Sequence, residues 1–244
     1  MLRQLVCAAF AATLLTAPLT AQEPTLEQVL EKHYQALGGL DQWLATSTAK
    51  FTGTFSLGPS MEAGFTMVVS RPRKMRLEFT VQGMTGIQAY DGQTAWMLMP
   101  FMGKTAPEPM PEDQAKEIRE QGDLDGPLMG WKEDGNQLEL VGKEDVEGTP
   151  AYKLKVTLPS GDVQYHYLEA EHFLTIKSEG KRMLQGREVE FETILGDYKQ
   201  VGALLFPHFI ENRLKGSPMQ QVLTITAVEL NVPVDDALFK MPSN

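Results

Sequence analysis

The chain has 244 residues, with 22 basic against 32 acidic side chains for a net charge of −10, and a single cysteine. The acidic surplus excludes a nucleic-acid backbone or an anionic bilayer as a partner, since both would repel it. One cysteine excludes a disulfide framework and a thiolate metal site, while the length allows one or two domains with a sizeable core.

Residues 1–21 read as a targeting segment. Arg3 supplies the positive charge, Leu5 to Leu15 the apolar run, and Leu19-Thr20-Ala21 a cleavage site. The run is too short to span a bilayer. Cleavage before Gln22 would remove Arg3 and Cys7, taking the net charge from −10 to −11. Cys7 has too little apolar sequence before it to carry a lipid, so an exported, periplasmic protein is expected rather than a lipoprotein. No later segment resembles a transmembrane span, so no direct membrane anchoring is expected.

From Pro24 to Leu37 the spacing of Leu26, Val29, Leu30, His33 and Leu37 predicts a helix. Thr25 and Gln28 are placed to cap its start, and Gly38-Gly39 stops it. Leu40, Trp43 and Leu44 suggest a second short turn. Strands follow. Phe51, Phe55 and Leu57 alternate with polar residues, as do Phe65, Met67 and Val69. Met75, Leu77, Phe79 and Val81 keep period two, which predicts one buried and one wet face. Ile87 to Tyr90 leads into Asp91-Gly92, a hairpin turn signal, and Thr94 to Met99 returns.

The stretch from Met97 to Trp131 breaks this pattern. It crosses Pro100, Pro107, Pro109 and Pro111 and then offers one short helical pattern. Long interruptions of this kind tend to be lids or binding loops, so it is read as an apolar cover over a curved sheet. Beyond it, Leu138–Val141, Tyr152–Leu158, Val163–Tyr167, Phe173–Lys177, Val189–Leu195, Leu204–Arg213 and Val222–Leu230 read as further strands. Turn residues separate them, bringing the total to roughly eleven in antiparallel meanders. Thr66-Met67-Val68-Val69 and Val222-Leu223-Thr224-Ile225 carry apolar residues on both faces, as a sheet curled around an interior requires. No βαβ rhythm, low-complexity tract or linker appears. The expected fold class is therefore mainly β, in a single domain over residues 22–244.

No enzyme chemistry stands out. The four histidines, His33, His166, His172 and His208, sit in no metal-helix motif. His166 and His172 flank Glu169 and Glu171, which could be drawn as a metal cluster, but strand histidines near surface carboxylates are common and a histidine pair needs a third ligand at matched geometry. There is no nucleophile elbow and no phosphate loop. Asp235-Asp236 reads as a cap of a last turn rather than a catalytic pair. Neither a cofactor nor a metal is expected. What the sequence offers is methionine: of 13, six fall at Met84, Met97, Met99, Met102, Met110 and Met129. An unbranched thioether repacks around partners of differing shape, so this cluster beside Trp96, Phe101 and Trp131 suits either a site for acyl chains or ordinary core filling.

Arg71-Pro72, Met75, then Asp91-Gly92-Gln93-Thr94-Ala95-Trp96 and Pro100-Phe101 resemble, in order and spacing, the R-P, D-G-x-T-x-W and P-F series of LolA-type periplasmic lipoprotein carriers. Leu195, Tyr198, Val201, Phe206-Pro207, Asp235-Asp236, Phe239 and Pro242 extend the likeness to outer-membrane lipoprotein-sorting proteins. The resemblance implies a half-open antiparallel β-barrel closed by helices or a lid, around an apolar cavity for lipoprotein acyl chains. It also implies a latch at Arg71 that favours the closed, empty state. The partners it implies are an inner-membrane release complex and an outer-membrane acceptor, with the carrier a monomer. The chain departs from the pattern in its length, its acidity and its run Pro111-Glu112-Asp113-Gln114-Ala115-Lys116-Glu117. Phe65, Phe79, Trp96, Met97, Met99 and Phe101 are expected to line or rim the cavity and Arg71 to gate it. The alternative is an envelope sensor of the same fold that meets a basic protein partner through the acidic insert.

Overall fold

A computed structural model describes residues 23–58, 61–184, 186–218 and 220–242; the predicted targeting segment lies outside them. Helix α1 (Leu26–Ala36) starts at the predicted capping box: the Thr25 hydroxyl accepts from the Gln28 N–H at 3.3 Å, and the Thr25 N–H donates to Gln28 Oε1 at 2.9 Å. It ends where predicted. Gly38 has φ +106°, and a Cβ there would sit 2.1 Å from the Ala203 carbonyl oxygen, so the helix turns against the sheet where only glycine fits. Helix α2 (Leu40–Leu44) follows directly.

Next come β1 (Thr48–Leu57), β2 (Met61–Ser70), β3 (Lys74–Val81), β4 (Met84–Tyr90), β5 (Ala95–Met99) and β6 (Lys104–Pro109). Asp91 closes the β4–β5 hairpin as its turn signal predicts, its carboxylate accepting from the N–H groups of Gln93 and Thr94. β6 was not expected, because prolines argue against a strand. It is an edge strand paired only with β5, and an edge is where the missing N–H of Pro107 and Pro109 is tolerated.

After α3 (Glu112–Gln121) come β7 (Gln137–Val146), β8 (Thr149–Thr157), β9 (Val163–Glu169), β10 (Thr175–Leu184), β11 (Arg187–Val201), β12 (Leu204–Leu214) and β13 (Gln220–Leu230). Phe173, expected at the start of a strand, instead has φ +60° in the turn before β10 and stacks on Tyr152 at 5.5 Å.

All thirteen strands form one sheet in the order β6-β5-β4-β3-β2-β1-β13-β12-β11-β10-β9-β8-β7, with every pairing antiparallel and edges at β6 and β7. The chain meanders from the centre to one edge, crosses to the other, and meanders back until β13 lies beside β1. The segment joining β6 to β7 therefore has to cross the sheet from edge to edge.

Alternation puts two apolar clusters on the inner face. One joins Phe51, Phe55, Phe65, Val69, Met75, Met97 and Met99 of β1–β5 with Trp43 of α2 and Phe206 of β12; Trp43 and Phe206 stack at 5.0 Å. The other packs Val29 and Leu30 of α1 on Tyr152, Leu154, Val156 and Leu168 of β8 and β9. The outer face of β7–β12 is polar and cross-paired, as in Lys153–Glu144 and Lys177–Glu192. Apolar residues inward and charges outward are what an antiparallel sheet with one solvated face requires. No helix among the described residues is long and apolar enough to cross a membrane.

Candidate functional site: a plugged half-barrel

The crossing segment fills the inner face. Its side chains Met110, Ala115, Ile118 and Met129 are all at least nine-tenths buried, and they pack with Phe65, Met75, Met97 and Met99 in the first cluster. Ala115 and Ile118 stand three apart, on the one face of α3 that meets the sheet. Four of the six clustered methionines thus belong to the core, while Met84 and Met102 remain exposed.

Of the six residues expected to line the interior, five share this face. Phe65, Met97 and Met99 are buried, and Phe79 and Phe101 are half-buried. Phe55, Phe79 and Phe101 form a row with centroid spacings of 5.5 and 5.7 Å. Gly86 makes room for it: a Cβ there would meet both the Phe79 and Phe101 rings at 2.8 Å.

Trp96 is the exception. Neighbours in a strand point to opposite faces, so with Met97 inside, Trp96 is outside. There its indole N–H donates to the Phe239 carbonyl at 2.8 Å, the Arg76 guanidinium lies over its ring at 5.6 Å, and the C-terminal segment covers it completely. Asp235 holds that segment in its final turn as a cap, accepting from the Ala237 N–H at 2.8 Å.

Arg71, at the end of β2, ties the crossing segment down. Its Nε donates to the Thr46 carbonyl at 2.8 Å and one terminal nitrogen to the Trp43 carbonyl at 3.1 Å. The fork then grips the Asp125 carboxylate at both terminal nitrogens, one of them at 2.6 Å from Oδ1. A planar guanidinium suits such a bidentate grip; a lysine could not copy it. Arg73 pairs with Asp123 and Asp134 at 3.0 and 2.8 Å. Burial nevertheless outweighs Arg73 and holds the Asp123 carboxyl above its usual range. Across the mouth, Lys116 bonds Asp162, and Arg182 of β10 donates to Glu117 at 2.9 Å. Tyr34 of α1 adds a bond to the Leu128 carbonyl at 2.7 Å. The segment is thus greasy underneath and ionically fastened along its rim.

Sequence reasoning singled out Arg71 but missed its partner. Asp125 lies 54 residues away in sequence, and nothing local marks it. The residues that could have suggested a metal separate. His166 is buried, as is His33, whose Nδ1 bonds the Phe173 carbonyl at 2.7 Å. Burial holds both histidines below their ordinary value, His166 at about 4. Glu169, Glu171 and His172 do converge within 4.8 Å, but Glu169 already accepts from the N–H groups of Glu171 and His172 and from the His172 ring. That is a turn capping itself. Two open hollows, of about 630 and 800 Å³, lie elsewhere: one between Tyr165, Phe191 and Arg213, the other between α1, Lys143 and Tyr152.

The fold has counterparts among solved structures. A DUF1329 family protein from Desulfovibrio piger superposes with a TM-score of 0.62 at 12% identity, covering 88% of this chain and 96% of that one. A LolA superfamily protein from Nitrosomonas europaea gives 0.60 at 14% identity, covering 89% and 98%. The chain has a LolA-like fold. A putative outer membrane lipoprotein-sorting protein domain from Vibrio parahaemolyticus, at 0.58 and 12% identity over 86% and 94%, is a further LolA-like neighbour. No protein-family model and no curated protein matches the chain. In this LolA-like frame the crossing segment occupies the inner face of the half-barrel, and Arg71 stands at its rim.

Proposed function

We propose that the protein is an exported, non-enzymatic carrier, acting as a single domain over residues 22–244. It would shelter the acyl chains of lipoproteins or other lipids on the inner face of its half-barrel and move them through the periplasm towards the outer membrane. In this reading Phe65, Phe79, Met97, Met99 and Phe101 line the acyl site, and the segment from Met110 to Met129 holds it until cargo arrives. The observation that carries the reading is the double character of that segment, whose apolar side chains lie against the sheet while Arg71 clasps it by Asp125.

The energetics allow an exchange. Burying Met110, Ile118 and Met129 contributes about 1.5–3 kcal/mol each. An acyl chain burying about a dozen methylenes at about 0.8 kcal/mol each brings roughly 10 kcal/mol, comparable with what it displaces. Loading would therefore be reversible, with release to an acceptor that competes for the same chain. The partners implied by the LolA-like pattern, an inner-membrane donor and an outer-membrane acceptor, would supply and remove it.

The sensor alternative needs the acidic insert to face a basic partner. Glu112, Glu117, Asp123 and Asp125 are instead ion-paired with Arg119, Arg182, Arg73 and Arg71 of the same chain, which favours the carrier. Native mass spectrometry of protein purified from the periplasm tests the reading. Co-purifying lipid, lost in a Met99→Asp variant that still folds, supports it. Lipid-free protein that also fails to take up a fluorescent fatty acid refutes it.

A further inference from the structure

The inner face is not uniformly apolar. Towards the β9–β11 side it carries Gln164, Ser178, Arg182 and Thr193, which the register places on the same side as His166 and Leu168. Arg182 is the cation among them. Its Nη1 donates to Glu117 of α3 at 2.9 Å, its guanidinium lies 5.3 Å above the centre of the Phe191 ring, and its Nε is buried without a hydrogen-bond partner. A buried guanidinium N–H left unpaired is costly, so this side chain has donor capacity that the closed arrangement does not use. Glu117 stands one residue before Ile118, which is buried against the aromatic and methionine wall. Helix α3 thus presents, side by side, an apolar group to the greasy half of the face and a carboxylate to the polar half that holds Arg182.

We infer that α3 mimics the cargo: the protein takes amphiphiles whose acyl chain replaces Ile118 and its neighbours and whose anionic headgroup, a carboxylate or a phosphate, replaces Glu117 on Arg182. This inference rests on the carrier reading and adds a headgroup preference to it. An incoming oxyanion accepts from Nη1 and also from the Nε that Glu117 leaves unmet, so the guanidinium gains a bond it lacks in the closed arrangement. The neighbouring charges are Lys116 and Asp162, which pair with each other, and Glu120, whose carboxyl burial holds above its usual range.

The test compares dodecanoate, dodecyl phosphate and dodecanol at one chain length, below their aggregation limits, by calorimetry on the full mature chain. Wild-type protein is expected to bind both anions at least about tenfold more tightly than the alcohol, since bonds to charged groups carry that discrimination. Arg182→Gln is expected to lose the preference, with dodecanol bound at least as tightly as by the wild type because one fastening of α3 is gone. Glu117→Gln, which leaves Arg182 in place but weakens the internal competitor and one fastening of α3, is expected to tighten both anions more than dodecanol and so to widen the preference. Tighter binding of dodecanoate alone, or of dodecyl phosphate alone, would identify which anion the site takes. Equal affinity for all three in wild type, or an anion preference that survives Arg182→Gln, overturns the inference and leaves the carrier reading standing. No binding of any of the three overturns both.

Discussion

Replacing Arg71 by leucine removes four hydrogen bonds at once: two to the carbonyls of Thr46 and Trp43 and two to Asp125. It also leaves the Asp125 carboxylate without its cation. The pair is partly shielded, with side-chain exposures of 25% and 16%. Its contribution therefore lies between that of a surface pair and the 3–5 kcal/mol lost when a buried pair is broken; about 2 kcal/mol is a reasonable figure. Most of that acts on the seating of the crossing segment, because Asp125 belongs to it. A bias of about 2 kcal/mol is roughly a thirtyfold change in the ratio of seated to displaced segment, and apparent lipid affinity rises by up to the same factor when opening limits binding. Arg71→Leu is therefore expected to bind a fluorescent fatty acid up to about thirtyfold more tightly, to release it more slowly to acceptor membranes, and to lose hydrogen-exchange protection over Glu112–Gln121. Asp125→Asn is expected to shift all three the same way. Unchanged affinity together with unchanged protection in both variants would refute a latch at this position.

Trp96→Phe removes the indole bond to Phe239 on the outer face, so a loss of about 1–2 kcal/mol in denaturant unfolding is expected with lipid uptake unaltered; a drop in uptake would put Trp96 back in the cavity. Gly38→Ala forces a Cβ against the Ala203 carbonyl at positive φ and is expected to destabilise by about 2 kcal/mol or more, read as a lowered urea midpoint. The buried histidines set a pH dependence. Each stays neutral in the fold while the unfolded chain takes a proton near pH 6.5. Their contribution is complete above that value and is lost as pH falls through 6.5 towards about 4, where His166 titrates in the fold. A depression of this size on His166 amounts to about 3 kcal/mol. Urea unfolding at pH 7.5 and pH 4.5 should show that loss in wild type and a smaller one in His166→Gln; equal losses would place its origin elsewhere.

Much of the fold was legible because it rests on local chemistry. Period-two alternation marked most strands, Asp91-Gly92 marked a hairpin, and Thr25 with Gln28 marked a helix start. β6 was not legible, because the rule against proline in strands is relaxed at an edge and no local signal says which strand is an edge. The inward set Phe65, Phe79, Met97, Met99 and Phe101 was recoverable from parity, and the same parity would have placed Trp96 outside. The ionic rim was not readable: Arg71 with Asp125 and Arg182 with Glu117 are separated by 54 and 65 residues. Only the edge-to-edge crossing of the chain brings them together.

The claim beneath all of this is that the crossing segment must leave the inner face for lipid to enter. Gly122, at the end of α3, would place a Cβ 3.5 Å from that of Met75 on β3, within disulfide range. The mature chain is expected to lack other cysteines. A Gly122→Cys, Met75→Cys double variant can therefore be locked by oxidation and freed by reductant. Fatty-acid uptake should vanish in the oxidised protein and return on reduction; full uptake by the locked form would show that lipid binds somewhere other than beneath α3.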